Sequence, residues 1–223
     1  MSAEVINQAA VIPELATQLP PDSTLVLRGV SWEDYEELLE AVGEARGLRI
    51  SYDQGTLQIM TLGTEHENIA DLIQDLVRLL SLRLQIKVLS FGSATMKKRG
   101  KRKGLESDGC FYVQTAAAIG KKLRLDFESD PPPDIALEVD LHHESLSKFP
   151  IYVAISIPEI WRYDGQSLII YHLQGGQYLP AETSLALPML TSKTLTDFLA
   201  RSQYEDQYDI LLAFDKWLKD QKV

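Results

Sequence analysis

The sequence predicts an α/β or α+β domain built around a mixed sheet, and three observations lead to this prediction. Its 223 residues suit one domain with short appendages. Hydrophobic residues make up 45% of the chain and charged residues 24%, the usual balance for a globular protein. Helical and strand-like periodicities then follow one another in the order helix, three strands, helix, strand.

The first 60 residues predict an arm, a helix and a hairpin. Residues 1–24 contain three prolines and little periodicity, so we expect an extended or partly ordered arm. Ser31 is expected to cap a helix, with Asp34 at the third helical position reaching back to it. Residues 48–60 alternate in polarity around the turn Asp53-Gln54-Gly55, which indicates a β-hairpin.

The central part of the chain predicts one long helix followed by strands. Apolar residues recur at helical spacing along one face of 64–84, which is the clearest helix. Strands are expected at 87–93 and 110–113, and at 135–139 directly after three prolines that forbid a helix there. A helix over roughly 145–155 follows.

The C-terminal part predicts more strands and a helical tail. Strands are expected at 160–163 and 168–173, followed by a short final strand after a Gly-Gly turn. Thr194 is expected to begin a helix with Asp197 as its capping-box partner. We therefore divide the chain into the arm, a domain over 25–200 and a helical tail over 201–223.

Composition narrows the possible functions. The net charge of −10 argues against a protein that coats nucleic acid non-specifically, although acidic metal ligands in a nuclease would add to it. The lone Cys110 can form neither an internal disulfide nor a thiolate metal site, so the cytoplasm is the default location. No apolar run is long enough to predict a membrane span.

The strand predicted at 135–139 carries carboxylates that an apolar strand normally lacks. Glu138 and Asp140 lie two residues apart, so their side chains project to one face, which Asp134 shares. Such carboxylates repel one another unless a cation joins them, and Mg²⁺ prefers oxygen ligands of this kind. The structural alternatives are a solvent-facing polar strand face and, for Asp134, a simple strand start.

Three further residues have both a chemical and a structural interpretation. Asp108 precedes a glycine, so it is either a metal ligand or an ordinary turn residue. Lys148 either stabilises charge on a phosphoryl group or is a solvated surface lysine. Glu67 either reaches the outer shell of a metal or forms a capping box with Thr64.

A basic segment immediately precedes Asp108. Six of the seven residues at 97–103 are basic, and like charges at this density usually meet an anionic partner. They are Lys97, Lys98, Arg99, Lys101, Arg102 and Lys103. The segment is either a solvated hairpin tip or a loop that contacts nucleic-acid phosphates beside the proposed site.

An ordered set of motifs resembles the Uma2 family, which is common in cyanobacteria. The motifs are Glu65-His66-Glu67, Ser107-Asp108 before Phe111-Tyr112-Val113, Pro133-Asp134 to Val139, Lys148-x-x-x-Tyr152, and Ile157 to Asp164. The resemblance covers roughly residues 30–195. It implies membership of the PD-(D/E)xK superfamily, whose restriction-endonuclease-like core has the order αβββαβ and hydrolyses phosphodiester bonds with Mg²⁺. An extra N-terminal helix and hairpin and the C-terminal helical tail would flank this core.

The resemblance also implies roles for individual residues. Asp108 would be the first metal carboxylate and Glu138 the second, with Glu67 as the acidic residue of the first core helix. The superfamily lysine normally follows the second carboxylate by two residues, where this chain has Asp140. Lys148 would therefore supply the amine from a different position, and Asp140 or Glu67 would support the metal.

These observations predict an endonuclease that uses Mg²⁺ or Mn²⁺ to cut nucleic acid, with DNA as the expected substrate. A homodimer is expected, because a two-fold assembly suits the cutting of both strands. One alternative is a catalytically degenerate module that binds nucleic acid or regulates. Another is an interaction protein that acts through an apolar surface near its C-terminus, although packing of these residues on the chain's own core is the favoured alternative. The residues of this surface are Phe198, Leu199, Tyr208, Leu211, Leu212 and Trp217.

Overall fold

The computed structural model describes residues 18–43, 47–141 and 147–221, which form eleven strands and six helices. The strands are β1 (Thr24–Arg28), β2 (Leu48–Asp53), β3 (Thr56–Thr61), β4 (Leu89–Ser90), β5 (Thr95–Lys98), β6 (Lys103–Glu106), β7 (Gly109–Tyr112), β8 (Ile135–Val139), β9 (Glu159–Tyr163), β10 (Leu168–Gln174) and β11 (Gln177–Ala181). The helices are α1 (Trp32–Val42), α2 (Thr64–Leu84), α3 (Ala116–Ile119), α4 (Phe149–Ile155), α5 (Ser192–Ala200) and α6 (Gln207–Asp220).

The strands form two sheets. The smaller sheet is antiparallel, with the order β1-β3-β2-β6-β5. The larger has the order β11-β10-β9-β8-β7-β4. It is mixed, because β8 and β9 are parallel while every other pair of neighbouring strands in this sheet is antiparallel. The predicted α+β class with a mixed central sheet is therefore confirmed. None of the helices among the described residues is long and apolar enough to cross a membrane.

The N-terminal helix and hairpin form as predicted and belong to the smaller sheet. The Ser31 hydroxyl accepts a hydrogen bond from the Asp34 amide at 3.0 Å, and the Asp34 carboxylate accepts from the Ser31 amide at 3.2 Å. The hairpin turn places Gln54 and Gly55 at φ 47° and 99°, which suits the twist of a two-residue β-hairpin. The aromatic rings of Trp32, Tyr35 and Tyr52 pack together beneath α1.

The main core lies between the larger sheet and the helices α2, α5 and α6. Alternation along β8 sends Ile135, Leu137 and Val139 into this core, whereas Ala136 faces a second apolar cluster that includes α4. Glu138 shares the face of Ala136, so the carboxylate lies on the α4 side of the sheet. The apolar face of α6 packs on the same main core as α2, and so do Phe198 and Leu199 of the predicted interaction surface.

Two predicted helix starts are wrong. Helix α4 begins at Phe149, so Lys148 is its N-cap residue, and Pro150 lies in the first turn where no amide donor is needed. Residues 142–146, including the upstream part of the predicted helix, lie outside the described residues. Helix α5 begins at Ser192, because the Thr191 hydroxyl accepts a hydrogen bond from the Thr194 amide at 2.9 Å. Asp197 pairs with Lys193 on the exposed side of that helix.

Two smaller expectations also change, and the hairpin-tip interpretation of the basic segment agrees with the structure. Gly63 is the N-cap residue of α2 and no side chain caps the helix, so the Thr64–Glu67 capping box is wrong. The strand expected at 87–93 is only the two-residue edge strand β4. Residues 95–106, which include the basic segment, form the hairpin β5–β6, joined by a 3₁₀ turn at Arg99–Lys101 and paired to β2.

Candidate active site

Asp108 immediately precedes β7, and Glu138 lies on the neighbouring strand β8 of the larger sheet. The Asp108 amide donates to the Leu137 carbonyl at 3.0 Å, and its Oδ2 accepts from the Val139 amide at 2.8 Å. Asp108 is thus hydrogen-bonded to both residues that flank Glu138. The two residues are only 2% and 5% exposed. The pairing of β7 with β8 therefore brings together the two carboxylates that the sequence proposed as metal ligands.

Cationic and imidazole groups surround Asp108. Arg49 Nε of β2 lies 2.8 Å from Asp108 Oδ1, and His66 Nε2 of α2 lies 3.3 Å from Oδ2. Burial alone would raise the pKa of Asp108, but His66, Lys148 and Arg49 outweigh it and lower that pKa to about 2. Asp108 is therefore a buried carboxylate that stays ionised because of its neighbours.

Glu138 is held from the other side by α4. Lys148 Nζ donates to Glu138 Oε2, and the Tyr152 hydroxyl donates to Oε1. Lys148 and Tyr152 lie four residues apart, so one turn of helix presents both to the same carboxylate. Burial raises the pKa of Glu138, and the charge of Asp108 adds to this rise while Lys148 opposes it. The structure thus brings Lys148 to the second carboxylate.

Two further acidic residues border this pair. Glu67 lies in the first turn of α2 and its Oε1 is 3.4 Å from Arg49 Nη2, so Arg49 bridges Glu67 and Asp108. Glu106 accepts hydrogen bonds from the Ile50 amide and the Thr95 hydroxyl, both at 3.0 Å. Burial raises the pKa of Glu106, while Arg49 and Lys148 oppose that rise. The sequence interpretation included Glu67 and missed Arg49, His66 and Glu106.

The other carboxylates of the predicted strand face have separate partners. Asp140 Oδ2 lies 2.7 Å from Arg162 Nη2, and Asp134 accepts hydrogen bonds from the Val113 amide and from Thr115. Asp134 thus secures the loop after β7, a role that neither the metal-ligand nor the strand-start interpretation proposed. Within the described residues, no group of three or more His, Cys, Asp or Glu side chains could hold a metal ion.

The basic segment is largely neutralised by the chain's own acidic groups. Lys97 lies 2.8 Å from Glu36, and Arg99 contacts both Glu36 and Glu33. Lys98 contacts Glu128 and the Phe127 carbonyl. Lys103 lies 2.5 Å from Asp53, and Arg102 donates to the Tyr52 hydroxyl. Among the described residues, no ion-pair partner is found for Lys101. The segment forms a hairpin tip, and its contact with phosphates stays a prediction.

Comparison with known proteins identifies the family. The family model Uma2, described as "Putative restriction endonuclease", matches residues 32–202. The chain belongs to the Uma2 family. A crystal structure of "a putative nuclease belonging to DUF820" from Anabaena variabilis ATCC 29413 matches with a TM-score of 0.50 at 14% identity, over 76% of this chain and 99% of that one. This match shows a shared fold, and no curated protein matches the chain.

The Pro-Glu-x-Trp motif that supported the Uma2 resemblance is structural in this chain. Glu159 is fully buried at the start of β9 and accepts hydrogen bonds from the Trp161 indole and from the Leu185 amide, the latter at 2.6 Å. A buried charge is tolerated only when it is satisfied in this way. The motif thus ties β9 to the loop before α5, away from Asp108 and Glu138.

The lone cysteine of this Uma2 chain is expected to be chemically inert. Cys110 is fully buried in β7, and burial raises the pKa of its thiol to about 12, so almost no thiolate forms near neutral pH. We expect the native protein to leave a chromogenic disulfide reagent unreacted, and the same protein unfolded in guanidinium to titrate one thiol. Rapid reaction of the native protein would contradict this burial.

Proposed function

We propose that this chain is a metal-dependent endonuclease that hydrolyses phosphodiester bonds of DNA, with Asp108 and Glu138 at its centre. The observation that carries the proposal is this pair of buried carboxylates, one just before β7 and one on β8, with Lys148 contacting Glu138 and Arg49 contacting Asp108. Membership of a family described as "Putative restriction endonuclease" and the fold shared with "a putative nuclease" support it.

The residues present fit a hard divalent cation such as Mg²⁺ or Mn²⁺. Mg²⁺ is commonly held by one or two carboxylates and completes its coordination with water and substrate phosphate, so Asp108 and Glu138 supply an adequate donor set. Both ring nitrogens of His66 are buried and make no hydrogen bond of normal geometry, although Nε2 lies 3.3 Å from Asp108 Oδ2, so the ring can hydrogen-bond a water of a hydrated ion at this place. A bound ion would supply an activated water and neutralise charge on the phosphate.

The chain's own groups would then position the substrate and balance its charge. Lys148 lies where an ammonium group can stabilise the charge that develops on a phosphoryl oxygen. Tyr152 orients the Glu138 carboxylate, and Arg49 orients that of Asp108. Glu67 would support the site through Arg49, and Asp140 would support the end of β8 through Arg162.

The proposal also includes a DNA-contacting segment and a dimer. The segment 97–103 would contact the DNA backbone, with local carboxylates giving way to phosphates as its partners. A cytoplasmic homodimer would allow both strands of a duplex to be cut.

A second candidate is a nucleic-acid-binding or regulatory module that has lost turnover. The observation that favours it is that all four carboxylate oxygens of Asp108 and Glu138 already contact groups of the chain itself. Asp140 also stands where the superfamily has its lysine. Such a module would bind DNA in a salt-dependent and metal-indifferent manner, without product.

Metal removal tests the proposal directly. Because the ion would supply the nucleophile, we expect supercoiled plasmid to be nicked in Mg²⁺ or Mn²⁺ and to stay intact after excess EDTA, with activity restored when the metal is added back. Gel electrophoresis of the plasmid measures nicking, and calorimetry on the same samples measures metal binding. Nicking that persists in EDTA would overturn metal dependence, and DNA binding without nicking in either metal would favour the second candidate.

A further inference from the structure

A cleft of about 710 Å³ opens between the start of α4, the tip of the β5–β6 hairpin and the turn between β10 and β11. Most of its wall is apolar, and two lysines stand at its edge. The apolar wall includes Phe149, Pro150, Val153 and Tyr178, and the two lysines are Lys101 and Lys103. Pocket volumes of several hundred Å³ are typical of small-molecule and nucleotide sites.

The positive charge of the two lysines of this cleft favours an anionic ligand. Lys103 is engaged by Asp53 at 2.5 Å, but Lys101 is exposed and has no ion-pair partner among the described residues. Lys101 is thus distinguished from the other five basic residues of the 97–103 segment, each of which contacts a group of the chain itself. Its ammonium group can therefore meet a phosphate without first breaking an ion pair.

The cleft also adjoins the candidate active site. Its wall includes Ser147 and Phe149, the two chain neighbours of Lys148, and Lys148 contacts Glu138. Consecutive Cα atoms are about 3.8 Å apart, so the rim of the cleft lies within one residue of the lysine that would meet the scissile phosphate.

A second cavity on the other side of the site has the opposite character. It measures about 330 Å³ and is lined by His66, Asp22 and Asp140 among other residues. Among the described residues, its lining contains neither lysine nor arginine, so it offers a phosphate less than the cleft does. A nucleic-acid strand that leaves the site is therefore favoured on the side of Lys101.

We propose that this cleft binds an unpaired nucleotide next to the scissile bond, with its phosphate on Lys101 and its base against Phe149 and Val153. A base within a duplex is covered by its stacked neighbours, whereas an unpaired base exposes a face that an apolar wall can cover. The substrate class would then be single-stranded DNA, or DNA with an unpaired segment at the cut. This inference rests on the proposed nuclease function and names its substrate.

Binding to the full chain in EDTA tests the inference separately from cleavage. The probes are a fluorescein-labelled oligothymidylate and a duplex of the same length, with affinity measured by anisotropy. We expect tighter binding of the single strand, and a loss of roughly tenfold in Lys101→Glu and in Phe149→Ala for that strand alone. Lys216→Glu carries the same charge change on the exposed face of α6 and should leave both affinities unchanged.

Lys101→Glu keeps the test valid if Phe149→Ala unfolds, because Lys101 is exposed and thermal melting can confirm that its variant is folded. Tighter binding of the duplex, or equal losses for both probes in Lys101→Glu, would overturn the inference. Cleft-dependent binding of the single strand, without cleavage of that strand in Mg²⁺ or Mn²⁺, would support binding of an unpaired nucleotide in the cleft and refute the nuclease function. Metal-dependent nicking, together with unchanged affinity of Lys101→Glu for the single strand, would support the nuclease function and refute the inference about the cleft.

Discussion

Replacing Glu138 with glutamine is expected to abolish nicking of plasmid DNA. The amide keeps the size of the side chain and removes the negative charge that would hold the metal, which is worth several kcal/mol in the transition state. At about 1.4 kcal/mol per factor of ten, the expected loss of rate is roughly 10³-fold or more. Nicking rates measured in Mg²⁺ and in Mn²⁺ check this expectation.

The Glu138→Gln variant needs a matched control and a test of folding. Glu182→Gln makes the same chemical change at an exposed position before α5 and should nick at the wild-type rate. In Glu138→Gln the amide oxygen can still accept from Lys148 and the amide nitrogen can donate to the Tyr152 hydroxyl, so thermal melting should show a folded protein. Full activity in this variant would remove Glu138 from the site, and calorimetry would then show metal binding unchanged.

The parts of the fold that the sequence predicted well are those with strong local signals. Helix 64–84 and strand 135–139 have the bounds expected, because the first has a long apolar stripe and the second is preceded by three prolines. The hairpin at 48–61 follows from the Gln54-Gly55 turn. Each of these signals lies within the residues that form the element.

Helix starts were less predictable, because the local sequence does not show which of several hydroxyl side chains caps the helix. Thr191 and Thr194 both lie shortly before Leu195, the first apolar residue of α5, and in the structure the Thr191 hydroxyl accepts from the Thr194 amide. Thr64 and Glu67 have the spacing of a capping box, but Gly63 takes the N-cap position and Glu67 turns to Arg49. The alternatives differ in tertiary contacts that the local sequence does not contain.

The candidate site was predictable only in part for the same reason. The carboxylates and Lys148 stand out because charge is unusual beside apolar segments. Arg49 reaches Asp108 across 59 residues and from the other sheet, so no periodicity or spacing marks the contact. Arg49 alternates with Leu48 and Ile50 in β2, the pattern of a half-exposed hairpin strand, so the local sequence gives no signal that this arginine is buried.

Truncating Arg49 is expected to cause the largest loss of stability among the variants considered. Its side chain is 9% exposed and that of Asp108 is fully buried, so Arg49→Ala would leave an ionised carboxylate in the protein interior without this partner. Breaking a buried pair in this way typically costs about 3–5 kcal/mol. Urea denaturation should show a fall of this size in the free energy of unfolding.

Two comparisons separate the buried charge from the loss of side-chain volume. Arg78→Ala removes the same side chain from an exposed pair with Asp75 and should cost about 0.5 kcal/mol or less. The double variant Arg49→Ala/Asp108→Asn should be more stable than Arg49→Ala alone, because the amide oxygen still accepts from the Val139 amide and no charge is left unpaired. If the losses in the free energy of unfolding from Arg49→Ala and Asp108→Asn instead add in the double variant, the role of Arg49 is packing. The charge of Asp108 is then balanced by His66 and Lys148.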